Sequence, residues 1–261
     1  MKEILKFKNL LFLSIFILLS SCGQTIDVDD EEKYLINLSS LGGITSYKGI
    51  PYTGEIVKYV DDEKTQLEWK KNYKEGKLDG LSEEYNKNGQ LEESVTYKEG
   101  EEEEEVKYTY YENGQLKKKE TYKDGKKDGQ WEEYGDNGQL WSKETYKDGK
   151  EDGQWEIYNV RYNDDDTLQR GSLFYKGTYM DGKQDGQWEE YHDNGKLFYK
   201  GTYKDGKENG QFEYYHDNGK LMDKGTYKDG KEDGQWEYYD ENGKLDEKES
   251  GMYKDGVKQD D

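Results

Sequence analysis

The chain contains one cysteine, one proline and two histidines in 261 residues. A single cysteine, Cys22, excludes an internal disulfide, so no covalent staple supports the fold even in an oxidising compartment. The single proline, Pro51, lacks a ladder donor and belongs at a sheet edge or strand start. The histidines, His192 and His216, share one repeated turn position, where other cycles carry Gly135 or Asp240; they read as turn residues rather than catalysts. Aliphatic residues are scarce too: from position 22 onward only 30 residues are Leu, Ile, Val or Phe. Together with a net charge of −21, that is the composition of a chain too polar to bury a core. No segment holds a 3.6-residue apolar period, which argues against long helices.

Aromatic residues at regular positions argue against disorder. The 26 tyrosines and six tryptophans recur in a frame that restarts at Tyr47, Tyr73, Tyr97, Tyr122, Tyr146, Tyr179, Tyr203, Tyr227 and Tyr253. The intervals are 24 to 26 residues, with one of 33. A fixed period of this size marks a stacked-repeat architecture. Each cycle carries an Asp-Gly or Glu-Gly pair just after the tyrosine and an Asn-Gly pair further on, as in Asp124-Gly125 and Asn137-Gly138. Both are signals of type I′ hairpin turns, which need positive φ at two central residues. Between them lie strand-length segments rich in Trp, Tyr and Thr.

The sequence therefore predicts an all-β, elongated antiparallel β-hairpin repeat array, a twisted sheet or solenoid of about eight repeats. Leu197, Tyr199, Gly201 and Tyr203 share one parity and so one face. Trp131 and Tyr134 stand three apart, so either a bulge re-aims one of them or both faces carry aromatics. Register stacking predicts one ladder through Trp131, Trp155, Trp188, Phe212 and Trp236, and a second through Tyr122, Tyr146, Tyr179, Tyr203 and Tyr227. Aromatic side chains bury roughly 150–250 Å² each, so such ladders can replace an aliphatic core. Eight hairpins at the usual strand spacing extend very roughly 75 Å.

Residues 1–21 are set apart. Lys2, Lys6 and Lys8 precede an apolar run from Leu10 to Leu19, the outline of a secretory signal and too short for a confident membrane span. Leu19-Ser20-Ser21-Cys22 resembles the lipobox of bacterial lipoproteins. That resemblance implies cleavage before Cys22 and lipidation of its sulfur, and it places the chain in the cell envelope, at the outer membrane or cell surface. Removing the first 21 residues takes the net charge from −21 to −23, since three lysines and one glutamate leave. Residues 22–46, with Asp27, Asp29, Asp30, Glu31 and Glu32, read as an acidic tether. The repeats span 47–256, the first with the irregular profile of a cap, and 257–261 form an acidic tail. Glu101 to Glu105 reads as a solvated loop or bulge. Nine extra residues between Tyr158 and Leu173, including Asn163-Asp164-Asp165-Asp166, read as an inserted loop. Their spacing is not that of a calcium-binding EF-hand loop, and no metal or other cofactor is expected.

Gly129-Gln130-Trp131-Glu132-Glu133-Tyr134 followed by Asn137-Gly138-Gln139-Leu140 resembles the bacterial variant of MORN repeats, as do Gly186 to Tyr191 with Asn194 to Leu197. The resemblance covers roughly residues 47–256. It implies a β-hairpin array and, through the naming of YwqK-type antitoxins, a toxin partner; other members are scaffolds or lipid binders. No catalytic constellation is visible, so no enzyme is expected. A surface of −23 repels nucleic acid, whose binding rests on phosphate neutralisation, and anionic lipid headgroups alike. The expected partner is a protein, a basic one by charge complementarity, with membrane contact only through the lipid. Alternatives are neutralisation of a toxin and binding of glycans, the latter requiring tyrosines that are exposed rather than laddered.

Overall fold

The computed structural model describes residues 25–27, 38–41, 43–162 and 168–259. Cys22, most of the proposed tether, residues 163–166 and the last two aspartates lie outside them. The described chain is all-β, and its main sheet has 24 strands. One cycle shows how it is built. Gly129–Tyr134 pairs antiparallel with Leu140–Lys147, which turns at Asp148-Gly149 into the two-residue strand Lys150–Glu151. The chain then enters Gly153–Tyr162, which pairs with the same Leu140–Lys147. Each long strand is thus bonded to its sequence neighbours, and the sheet grows one hairpin at a time without closing.

The two turn signals behave differently. At the Asp-Gly pairs both residues have positive φ, for example Asp124 (50°) and Gly125 (71°), as a type I′ turn requires. At the Asn-Gly pairs only the glycine does, for example Gly138 (77°). There the Gly138 N–H bonds Gly135 O, the Gly135 N–H bonds Gln139 O, and the Asn137 side chain accepts the Gln139 N–H. The expected I′ geometry is replaced by a longer turn closed by left-handed glycine, in which asparagine serves through its side chain.

Four further expectations are corrected. The tether reading fails at Thr25–Asp27, a strand that pairs parallel with Glu55, Ile56 and Val57. Its Ile26 is fully buried against Tyr52 and Ile56. An open sheet edge carries unpaired N–H and C=O groups, and this segment satisfies them. Leu38–Leu41 likewise pairs with Ile44–Tyr47, which pairs with Ile50–Pro51, so Pro51 sits on a short edge strand. Glu101–Tyr110 is a strand, not a loop: a register shift between Glu102 and Glu104 absorbs an extra residue, and the first four glutamates stay exposed. The extra residues after Tyr158 lengthen a hairpin, since Val160, Arg161 and Tyr162 pair with Arg170, Gln169 and Leu168. Val257–Lys258, placed in the tail, pairs with Tyr253 and Lys254.

From Tyr122 onward the core is a single file of rings. The two expected ladders interdigitate into one column: Tyr122, Trp131, Tyr146, Trp155, Tyr179, Trp188, Tyr203, Phe212, Tyr227, Trp236. Successive centroids lie 4.9 to 6.0 Å apart, every pair edge-to-face. Pairs of this geometry contribute about 0.5–1.5 kcal/mol beyond area burial. Each indole N–H also donates to a threonine carbonyl of the preceding strand: Trp131 to Thr121, Trp155 to Thr145, Trp188 to Thr178 and Trp236 to Thr226.

How deeply a ring sits depends on the strand beneath it. Trp188, Phe212 and Trp236 are only 3%, 1% and 1% exposed, and they lie over Gly177, Gly201 and Gly225. A Cβ on those glycines would stand 2.3, 2.2 and 2.1 Å from the ring. Their φ values are not positive, so glycine is there for space, not for backbone freedom. Glu144 and Glu120 hold the equivalent places beneath Trp155 and Trp131, which are less buried. Tyr175, Tyr199, Tyr214 and Tyr238 then stack beside the buried rings, thickening the core in the C-terminal half.

Valine suits a strand better than glycine, so Gly201→Val would stabilise an ordinary strand. Here it must displace Phe212, and we expect a loss of about 1–3 kcal/mol, the usual cost of overpacking. In a Phe212→Ala background the same substitution should be neutral or stabilising. Chemical denaturation of the four proteins of that cycle measures the coupling.

Candidate interaction surface

Successive strand residues point to opposite faces, so Glu132 and Tyr134 lie on the face away from Trp131. Of the two readings of the Trp–Tyr spacing the second holds, since the bulge falls on the facing strand and re-aims neither ring. Aromatics occupy both faces, and the register slips beside each second-face tyrosine, as between Glu133 and Tyr134. The second face carries a column of alternating charge in cross-strand register: Glu132, Lys143, Glu156, Lys176, Glu189, Lys200, Glu213, Lys224, Glu237. Ion pairs close at 2.9 Å for Lys176–Glu189, 2.7 Å for Lys200–Glu213 and 2.8 Å for Lys224–Glu237. The hydroxyls of Tyr191, Tyr215 and Tyr239 donate to Glu189, Glu213 and Glu237. Lys200 and Tyr215 thereby hold the Glu213 carboxyl below its ordinary range. Half-exposed pairs contribute little energy one at a time; their effect is a surface neutral along its midline despite the acidic chain. Sequence analysis missed this column, although a Glu after each Trp or Phe and a Lys two residues before each Thr-Tyr were visible.

Between these side chains run shallow grooves repeated at the period of the array, with cavity volumes of 340, 390 and 410 Å³. The middle one is lined by Gln187, Glu189, Lys200, Thr202, Gln211 and Glu213. Corresponding residues line the others. Among the described residues no cluster of His, Cys, Asp and Glu is arranged to hold a metal ion.

The edge formed by the Asn-Gly turns is stitched from repeat to repeat. Asn113, Asn194 and Asn218 donate to the carbonyls of Asp136, Asp217 and Glu241. His192 and His216 place Nε2 2.8 and 3.0 Å from the carbonyls of Tyr215 and Tyr239, so that nitrogen must carry its proton. Tyr111 donates to Tyr134 O from the same turn position. The histidines are structural donors. At the opposite edge, the Asp128, Asp152 and Asp185 carboxylates accept the N–H of Asp148, Asp181 and Asp205 in the next Asp-Gly turn.

The ten residues of the ring column are thus spent on the core. Among the residues whose side-chain burial is described, every tyrosine is buried or partly buried, so stacking of sugars on exposed rings gains no support. Among the described residues Asp223 is the buried carboxyl on the aromatic face. It pairs between Tyr214 and Tyr238, is 8% exposed, and its carboxyl is pushed up to about 6, by burial first and then by Glu232, with His216 opposing. A carboxyl whose folded pKa lies above its unfolded one stabilises most when protonated. Its contribution is complete below about pH 4 and is lost as pH rises through about 6. Asp223→Asn should therefore raise the Tm at pH 7.5 and leave it nearly unchanged at pH 4, as thermal melts at both pH values would show.

A search of curated proteins returns no match. A family model described as MORN repeat variant matches residues 78–99, 106–124, 127–148, 184–205, 208–229 and 232–251. Each matched unit from 127 to 229 starts inside a two-residue strand and carries one long hairpin. The unmatched segment 149–183 holds the lengthened hairpin, yet it keeps the same register, with Trp155 opposite Gly177 as Trp188 is opposite Gly201. The structure and the family model agree on the unit: six segments of this chain match the MORN repeat variant, and they lie in one open β-sheet.

Proposed function

We propose that this chain is a non-enzymatic, lipid-anchored array that presents a repeated surface to a protein partner. MORN repeats are generally protein- or membrane-interaction repeats and a non-catalytic type. The observation that carries the reading is the single-layer sheet. One line of rings holds it together, so the charged face and both turn edges are left to face solvent with similar side chains recurring from repeat to repeat. Such periodic surfaces suit macromolecules better than small substrates, and the grooves are open troughs rather than enclosed pockets.

The net charge of −21 favours a basic partner and makes the encounter salt-sensitive. Neutralisation of a toxin is one form such a partnership takes. Capture on the immobilised chain, eluted with a salt gradient, should release a basic protein at moderate salt; retention of nothing, or of polysaccharide indifferent to salt, would contradict the proposal. Toxicity of the captured protein when expressed without this chain separates neutralisation from scaffolding.

Anchoring rests on Leu19-Ser20-Ser21-Cys22. Cells expressing the chain should incorporate labelled palmitate into it and retain it in the membrane fraction. Cys22→Ala should abolish the label and release the protein. Label retained by the variant would refute the anchor.

A further inference from the structure

At one point in each cycle the register skips a residue of the second long strand. The bulged residues are Glu68, Glu92, Lys117, Trp141, Phe174, Phe198 and Met222. The fold accepts a charge at this bulge in the first three cycles, so the bulge geometry itself does not require the large apolar residues of the next four, although Phe198 also packs on Tyr199 and Tyr214. They are not sealed in the core either: Phe174 is 38% exposed, and the other three are partly exposed. Trp141 lies over Gly135, and Phe198 packs 4.9 Å from His192. The bulge residues form a stripe along the Asn-Gly edge. Between two of its ridges lies a cavity of 290 Å³, lined by His192, Phe198, Tyr215, His216 and Met222 among others. Beside the stripe runs a row of exposed acids at the second turn position: Asp136, Asp193, Asp217 and Glu241. Lys196 and Lys220 in the same turns are engaged with the carbonyls of Asn218 and Asn242.

We infer that this stripe is a docking site for a basic segment of another protein in the polyproline II conformation. The pitch of the array selects this conformation. Equivalent residues of adjacent repeats are two strands apart, about 9.6 Å. A polyproline II helix presents one face every three residues, about 9.3 Å, and stays in register across the three intervals from Trp141 to Met222. A helical heptad advances about 10.5 Å and runs ahead by nearly 3 Å over the same span. An extended strand turns every third side chain to its opposite face. Aromatic ridges with pockets between them are the usual receptors for prolyl rings, and the acid row faces the basic residues between the prolines.

The inference rests on the protein-interaction reading and adds its location and partner conformation. Its test is calorimetric titration of the full chain with the synthetic peptide (Pro-Pro-Arg)4. The comparison protein carries Phe198→Glu and Met222→Glu, substitutions for which Glu68 and Glu92 are the precedent in this fold. We expect binding to the unaltered chain and a loss of at least about tenfold in the double variant, the scale of a removed anchor residue. The variant adds two negative charges, so attraction by charge alone would tighten instead. Equal or tighter binding to the variant, absence of binding to the unaltered chain, or preference for a Leu/Lys heptad helix of equal charge each overturns the inference. A captured natural partner that still binds the double variant leaves the array reading intact and removes the stripe.

Discussion

The structure depends on an edge-to-face contact between a Tyr that ends one hairpin and a Trp or Phe that begins the next. A single-layer sheet has no opposing layer to cover its apolar face. The rings therefore cover one another, each tyrosine filling the gap between two larger rings. This is why a chain with so few aliphatic residues folds. The contacts are between neighbours only, and stability should propagate along the array in the manner of other repeat proteins. The glycines beneath Trp188, Phe212 and Trp236 set the depth of the file, and the extra tyrosines beside those rings reinforce it where it is deepest.

The same constraint determines what the surface offers. With the rings consumed by the core, recognition falls to the charged face, the turn edges and the bulge. The charged face is balanced along its midline by Lys–Glu pairing, so the acidity of the chain is displaced to the turns. There the carboxylates divide their duties. Asp128, Asp152 and Asp185 accept backbone N–H groups of the next turn, while Asp136, Asp193, Asp217 and Glu241 stand at the outer edge. At the sheet's N-terminal end Ile26 and its short parallel strand cap the open edge, which would otherwise be a template for another chain.

Much of the fold was legible in the sequence because local chemistry and global period agreed. The Asp-Gly turns, the strand lengths and the ring positions all follow from residue type and spacing. What escaped was set by tertiary context. Asparagine at Asn137 looks the same whether it bends its own backbone or accepts a bond through its side chain. Thr25–Asp27 has no strand pattern of its own and is strand only because Glu55, Ile56 and Val57 need a partner. Glu101 to Glu105 reads as a loop by charge, yet it pairs with Val95 to Lys98 of the strand before it, and Glu105 pairs on both sides. The two ladders became one because adjacent strands share a face, so parity alone cannot separate them. The bulge left no mark on the spacing of Trp131 and Tyr134, which take opposite faces of an unbroken strand. Its partner residue on the facing strand, where the candidate docking stripe lies, carried no signal until the register was known.

The central claim is that the ring column, rather than the turns or the charged face, holds neighbouring repeats together. Amide hydrogen exchange along Phe212→Ala measures it most directly. Removing that ring should strip protection from the strands it touches, Leu197–Lys204, Gly210–Tyr215 and Leu221–Lys228, and leave Gly54–Tyr59 and Leu67–Lys74 nearly as protected as before. Unchanged protection around position 212 would show that the hydrogen-bonded ladder and the turns suffice without the rings, and would contradict the account.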